Sequence, residues 1–365
     1  MKVLVVGAGP AGLYFSYLLK KARPDCELRV LEQNPADATF GFGVVFSDRA
    51  LEFLQADDPA TYERITPQLE AWVDLVVVHR GERNVIDGIG FAAIGRLHFL
   101  RLMQAQLASV GVKPEFGRPL GAERFEDYDL VVAADGANSA ARRARDFGTR
   151  ISHCSNKFSW YGTPKRFEKL TQTFLNSEHG TFNVHHYAHA ADMSTFVAEC
   201  DAATWQRAGF ATMGEEETRR TLEKVYAPVL EGARLVSNKS IWRNFPNVRN
   251  ERWFAGNLVL IGDALRTAHF SIGSGTRLAM EDAIALVKAL GEEANISNAL
   301  KNFEAARRPI VDKLVAAADA SGAWYDRFPE HMKLSPRDFA WSYIQRSGRV
   351  DPERLSRISP RFART

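Results

Sequence analysis

Residues 1–32 carry the feature that most restricts what this chain can fold into. Lys2–Val6 reads KVLVV, a short apolar run rich in β-branched residues, and Gly7-Ala8-Gly9-Pro10-Ala11-Gly12 ends it at once. Ala11, Phe15, Leu18 and Ala22 then recur at helical spacing. Pro24-Asp25 stops the helix, and Glu27–Leu31 (ELRVL) is a second apolar run closed by Glu32. Each part has a physical task. Gly7 permits the tight turn, Gly9 lets a pyrophosphate approach the backbone, and Gly12 lets the helix pack close to the strand. The helix start at Pro10-Ala11 offers unpaired N–H groups to the phosphates. Glu32, twenty positions after Gly12, is placed to accept ribose hydroxyls. A fold that starts this early leaves no room for a cleaved leader before residue 3.

A second motif repeats this logic. Leu258–Ile261 (LVLI) is a strand ending in Gly262-Asp263-Ala264. The Gly/Ser-rich loop His269–Thr276, with Gly273, Ser274, Gly275 and Thr276, leads into a helix over Leu278–Leu290. A second helix N-terminus after a second buried strand stabilises another negative or electron-rich group, with Asp263 placed for a polyol hydroxyl. Two such sites in one chain call for an extended cofactor, FAD rather than NAD. Between them, Tyr128–Ala134 is a buried strand ending in Asp135-Gly136. That acid reads both as a ligand residue at the carboxyl end of an α/β strand and as the N-cap of the next helix.

The rest of the chain fills in around these motifs. Phe40–Phe46 (FGFGVVF) has two readings, a backbone passing close to a flat ligand or a turn entering a buried strand. Ser47-Asp48 caps a helix Arg49–Gln55, Trp72–His79 is a strand, and Asn84–Gly90 starts a return strand. Arg96–Val110 is helical. From Ile151 to Ser240 four strands, Lys157–Tyr161, Thr171–Leu175, Thr181–Ala188 and Ser194–Cys200, form an antiparallel sheet with one helix, Glu215–Tyr226. His185, His186 and His189 do not converge on a strand, so no metal site is expected. Asn298–Ala320 is a closing helix that Pro309 should kink or split. Arg346–Thr365 is Arg-rich and reads as a solvated extension.

Composition bounds the partners. At 365 residues and a net charge of +3, the chain has ample core and no charge argument for nucleic acid. No apolar run is long enough to cross a bilayer. Cys26, Cys154 and Cys200 are odd in number and far apart, which fits a reducing cytoplasm.

The set Gly7–Gly12 with Glu32, Asp135-Gly136 and Gly262-Asp263 resembles, in order and spacing, the single-component FAD-dependent aromatic hydroxylases of the para-hydroxybenzoate hydroxylase class, to about Ala320. The resemblance implies an α/β fold: a Rossmann-like FAD-binding domain (1–70, 96–150 and 241–320) interleaved with an antiparallel-sheet substrate domain (71–95 and 151–240), then C-terminal helices (321–365). It implies that Gly7, Gly9, Pro10, Ala11 and Gly12 hold the pyrophosphate and Glu32 the adenosine ribose. Arg96 packs on the cofactor, Asp135 serves its nucleotide side and Asp263 its ribityl or pyrophosphate side, and Gly273–Thr276 pass the isoalloxazine. NAD(P)H binds transiently, and ring hydroxylation proceeds with O2 through a flavin C4a-hydroperoxide.

The run GDALRTAHFSIGSGTRLAMEDA departs from the wider class, which has histidine at Arg266, proline at Phe270 and asparagine at Arg277. With FGFGVVFSD, NKFSWYGT, MSTFVAEC and WRNFPN, it resembles a narrower branch. That branch holds salicylyl-CoA 5-hydroxylases, the hydroxylase half of 2-aminobenzoyl-CoA monooxygenase/reductase, and the violacein-pathway tryptophan hydroxylase. The chain is too short for a second, reductase half, so dearomatising reduction is not expected. The substrate implied is an aryl-CoA thioester such as salicylyl-CoA, with an indole or tryptophan-type compound as the alternative. A non-hydroxylating flavin dehydrogenase or flavin sensor is the reading from another class. His269 is the candidate base, with Tyr161 or His185 from the sheet; His269 reads equally as a loop stabiliser. Arg142, Arg143, Lys157, Lys165 and Arg166 are candidates for a CoA tail, or simply a solvated basic face. A monomer or homodimer is expected.

Overall fold

The computed structural model describes residues 1–47 and 51–364. Lys2–Val6, Glu27–Glu32 and Leu130–Ala133 pair in parallel, with Leu258–Leu260 outside Leu130–Ala133 and Glu115–Phe116 outside Glu27–Glu32. Phe254–Ala255 adds an antiparallel edge, giving six strands. The two central strands read as near-continuous apolar runs because helices cover the sheet. The helix Pro10–Ala22 packs between Gly275–Glu292 and Arg96–Ser109; Ala11–Tyr17 is buried all round, whereas Leu18 is half-buried and Ala22 exposed, so the expected stripe holds only at Ala11 and Phe15.

The second sheet has eight strands around the long strand Arg150–Thr163, which pairs with Met193–Cys200 on one side and Arg243–Arg249 on the other. It is antiparallel except where Leu170–Ser177 runs parallel to Leu75–His79. Two expectations are corrected here. Trp72–His79 is two strands, Glu70–Trp72 and Leu75–His79, in different sheets, because the chain bends at Val73-Asp74. Arg243–Arg249, assigned from sequence to the cofactor half, belongs by pairing to the substrate sheet. A third sheet joins Gly43–Ser47, Phe91–Gly95 and Glu70–Trp72, so the FGFGVVF run is a bend followed by a strand. The helix expected from Arg49 begins outside the described residues; a helix is found at Glu52–Asp57.

Pro309 does not split the closing helix, which runs from Ile296 to Tyr325 across the expected domain edge at 320. The C-terminal stretch is not a solvated extension. Leu355 and Phe362 are buried with Phe174, Phe339 and Tyr343 in one core cluster, and the Asp87 carboxylate accepts the Arg361 and Phe362 backbone N–H groups. Regularly spaced apolar residues among the arginines outweigh the polar average.

Candidate active site

A deep crevice runs between the two sheets. Its nucleotide end, a cavity of about 350 Å³, is lined by Gly7, Gly9, Pro10, Ala11, Glu32, Asp135 and Gly136. Its other end, about 240 Å³, lies over the second sheet and is lined by Gly273 and Ser274. Arg96, Asp263, Gly275 and Thr276 line both, so one elongated ligand can occupy the whole.

The glycines behave differently from one another. Gly7 has φ +103°, and a Cβ there would lie 2.4 Å from Ala134 O. A Cβ on Gly12 would lie 1.9 Å from Gly7 O. At Gly9 a Cβ would meet no protein atom within 4 Å, so the space above it is left for a ligand. Glu32 is held beside this turn: its carboxylate accepts from Ala8 N at 2.9 Å and from Asn34 N and Nδ2 at 2.9 and 2.8 Å. The N-cap of the next helix, Ala140–Arg143, is Ser139, whose Oγ accepts from Arg142 N at 2.9 Å, rather than Asp135. Asp135 lines the crevice, and it accepts from Ala140 N and Ala141 N, at 2.7 and 3.1 Å, at the head of that helix.

Two long helices, Pro10–Ala22 and Gly275–Glu292, start at the crevice. Neither has a side-chain cap or an acid in its first turn, so both ends are electropositive. Arg96 opens a third helix, and its Nε is buried without a partner. The surrounding protein lowers its pKa, with Asp263 acting in the opposite direction. Asp263 is exposed only to the crevice, and the enclosing protein raises its pKa against the pull of Arg266 and Arg96. An open glycine cradle, two uncapped helix ends and an orphaned buried guanidinium nitrogen fit a long, dianionic dinucleotide.

The floor of the reaction end is a row across four strands: Gln172 opposite His185, His185 opposite Val197, and Val197 opposite Trp160. All four line the cavity, with Phe158 and Phe245 beside them. His185 is 6% exposed and its Nε2 has no hydrogen-bond partner. Burial holds its pKa well below the ordinary range, helped by Arg346, so it is a neutral imidazole. Behind it Glu199 is buried with Oε2 unpaired, 3.9 Å from His185 Nε2, and burial pushes its pKa up to about 7. Tyr325 Oη donates to Gln172 Oε1 at 3.1 Å.

Of the three candidate catalytic side chains, only His185 reaches this cavity. Tyr161 is one residue from Trp160 and so points to the opposite face, fully buried, its hydroxyl donating to Ser240 O at 3.3 Å. His269 turns behind the loop. Its Nδ1 pairs with Ser271 Oγ at 2.8 Å, its ring stacks on Phe270, and it faces a separate cavity beside Cys154 and Gly322. Burial lowers its pKa to about 3. His269 thus lies outside the reaction cavity and hydrogen-bonds within its own loop. Sequence reasoning missed Gln172, Glu199 and Trp160, because strand register alone brings them together. It also missed the C-terminal wall, where Tyr343 lines the cavity and Arg346 donates to Ser271 O at 2.8 Å.

This fold and crevice define a flavin-dependent hydroxylase of aromatic compounds. A family model described as FAD binding domain matches residues 111–318, and one described as NAD(P)-binding Rossmann-like domain matches residues 5–41. The chain belongs to the FAD-dependent aromatic monooxygenases, which bind FAD and use NAD(P)H. It is 42% identical over 361 residues to salicyloyl-CoA 5-hydroxylase of a Streptomyces species, covering 95% of this chain and 70% of that one. It is 36% identical to protodeoxyviolaceinate monooxygenase of Chromobacterium violaceum, over 96% of both chains. The crystal structure of Pseudomonas aeruginosa PqsL in complex with 2-aminobenzoylacetate superposes with a TM-score of 0.72 at 20% identity, covering 94% of this chain and 99% of that one. Among the described residues no helix is long and apolar enough to cross a membrane.

Proposed function

We propose that this enzyme hydroxylates an aryl-CoA thioester of the salicylyl-CoA type, para to the ring hydroxyl. Support comes from the 42% identity to a salicyloyl-CoA 5-hydroxylase along nearly the whole chain. The observation that carries the site assignment is the Gln172–His185–Val197–Trp160 row beside the Gly273–Thr276 loop. Bound FAD, reduced by NAD(P)H, supplies O2-derived oxygen to the ring, one atom entering the product and the other leaving as water. The protein's share is position, dryness and proton handling. Gly7–Gly12 would hold the FAD pyrophosphate and Glu32 the adenosine ribose, and Gly273–Thr276 would lie beside the ring system, with Arg96 and Asp263 between. Phe158, Trp160 and Phe245 hold the substrate ring and exclude water.

His185 Nε2 is buried toward Glu199, so the other ring nitrogen, Nδ1, accepts a hydrogen bond from the ring hydroxyl, drawing electron density into the carbon that is attacked. Ionised Glu199 behind it stabilises the positive imidazole as the proton moves. Tyr325 occupies the carbonyl oxygen of Gln172, leaving its amide N–H groups for the thioester carbonyl. Buried, separated cysteines support a reducing, cytoplasmic setting. A second reading, an indole-derived substrate, is favoured by the 36% identity to protodeoxyviolaceinate monooxygenase.

The test is NADH and NADPH oxidation by the FAD-loaded enzyme with salicylyl-CoA, 2-aminobenzoyl-CoA, the free acids and tryptophan, with products weighed by mass spectrometry. One added oxygen on a thioester and none on its free acid is the expected result. Oxygen on tryptophan alone moves the enzyme to the indole reading. Flavin reduction that no aromatic compound stimulates would falsify hydroxylation.

A further inference from the structure

Salicylyl-CoA carries a phosphorylated nucleotide at the far end of its pantetheine arm, and that end needs a cationic, partly apolar surface. The five basic residues singled out from sequence do not form one. Arg142 is buried, with its guanidinium donating to Ala264 O and Ala137 O. Lys165 pairs with Glu231 and Arg166 with Glu70, at 2.9 and 2.7 Å. Lys157 donates to Asn244 Oδ1, and Arg143 to Asn138 O.

A different surface has its charges unspent. Phe158 and Trp160, which wall the reaction cavity, also wall a small outer pocket of about 40 Å³ formed with Phe40, Lys239, Ile241 and Arg243. Phe40 and Ile241 are exposed apolar side chains, at 42% and 56%. Lys239 Nζ lies 5.0 Å from the centre of the Phe40 ring, and the Arg243 guanidinium 6.0 Å. Among the described residues neither cation has a carboxylate partner, and the Phe40 ring is the neighbour each one faces. The pocket is also built rather than incidental. Asn238 Nδ2 donates to Thr39 O and Gly41 O at 3.1 and 3.0 Å, tying the two loops together. Gly41 lies so close to Trp160 that a Cβ would come within 2.5 Å of its ring. Lys239 is held at φ +54°, a left-handed conformation that a lysine adopts only under constraint.

We propose that Phe40, Lys239, Ile241 and Arg243 bind the phosphorylated nucleotide of the CoA thioester while its aryl group occupies the cavity behind Trp160. The inference rests on the thioester reading above. Lys239 and Arg243 meet the phosphates in charge-assisted hydrogen bonds, and the adenine lies against Phe40 and Ile241. The pantetheine arm passes the edge of Trp160 and Phe158, the two residues common to both pockets.

The test compares salicylyl-CoA with salicylyl-pantetheine, which keeps the thioester and lacks the nucleotide. In the Lys239→Ala/Arg243→Ala enzyme, KM for salicylyl-CoA should rise about tenfold or more with kcat unchanged. KM for salicylyl-pantetheine and for NAD(P)H should not move. The native enzyme's KM for salicylyl-CoA should rise with salt, and the variant should lose that dependence. If the double variant fails to hold FAD, Lys239→Gly, which relaxes the backbone, gives the same readout. An unchanged KM for salicylyl-CoA overturns the assignment, as does a shift confined to NAD(P)H, which would make the pocket a reductant site. A native enzyme that accepts the thioester only on a carrier protein overturns it too. A native enzyme that hydroxylates no thioester removes the functional reading itself, a result visible before any variant is made.

Discussion

Arg266 and Asp282 meet in the core as a two-pronged pair, Nη1 to Oδ2 at 2.7 Å and Nη2 to Oδ1 at 2.9 Å, with side chains 5% and 0% exposed. Arg266 also donates to Gly262 O at 3.0 Å, and Asp282 Oδ2 accepts from Gly262 N at 3.1 Å. Arg307 joins both Asp282 and Glu281, and Glu281 holds Arg277 at 2.7 Å. Two of the residues that depart from the wider class thus belong to one buried network. That network clamps the Gly262-Asp263 turn to the helix Gly275–Glu292.

Breaking the pair from one side leaves a buried guanidinium uncompensated. Asp282→Ala should destabilise the fold by about 3–5 kcal/mol and weaken FAD binding, since the Gly262 N–H loses its acceptor. Denaturant unfolding and flavin fluorescence titration check the two effects.

Gly9 and Gly12 should separate folding from cofactor binding. Gly9 has φ −75°, which any residue adopts, and open space where a Cβ would go. Gly9→Ala should leave the melting temperature of the apoprotein unchanged and raise the Kd for FAD at least about tenfold. Gly12→Ala pushes a methyl into Gly7 O and should lower the apoprotein melting temperature itself.

Glu199 makes stability depend on pH. Burial pushes its pKa up to about 7 from the ordinary carboxylate range, so the folded state holds the extra proton. This contribution is intact below about pH 4.5 and is lost as pH rises through 7, amounting to about 3 kcal/mol in all. Glu199→Gln should remove the decline, so the variant gains on the native protein between pH 5 and 8.5. Urea unfolding across that range measures it. A flat difference would place the carboxyl's pKa near its ordinary value.

Arg346 lies 3.8 Å from the centre of the Tyr343 ring and holds Ser271 O, two residues before the crevice-lining Gly273–Thr276. Arg346→Ala should loosen that wall and admit water. The expected outcome is a several-fold rise in NAD(P)H oxidised without hydroxylated product, at unchanged FAD content. Product formed per NAD(P)H consumed is the readout.

His185→Ala should lower hydroxylation roughly 10²-fold, the scale of a positioned acid–base group, while flavin reduction continues. His269→Ala, by contrast, should lower loop stability more than turnover. Stopped-flow reduction and product analysis on both variants distinguish the two histidines.

The cofactor half was legible because its signals are local. Gly7, Gly9, Gly12 and Glu32 lie within one strand–helix–strand unit, and Gly262 to Thr276 within another. The substrate half was not, because its site is made by register between strands far apart in sequence. Gln172, His185, Val197 and Trp160 become neighbours only once four strands are aligned. Alternation of faces separates His185 from His186, and by the same rule Trp160, not Tyr161, faces the cavity. Arg277 and Glu281, four residues apart on a helix, were a readable pair. The burial of Asp282 between Arg266 and Arg307 was not.

The crevice unites two turns that are 250 residues apart along the chain, from Gly12 to Gly262. At ribosomal rates of about 5–20 residues per second, the first waits roughly 10–50 s for the second. During that interval Leu130–Ala133 has Lys2–Val6 on one side and a bare edge on the other, since Leu258–Leu260 has not yet been made. FAD can be held in full only after that edge is filled. Flavin therefore cannot shield the sheet while the chain is being made, and losses through the unfinished edge should not depend on flavin supply.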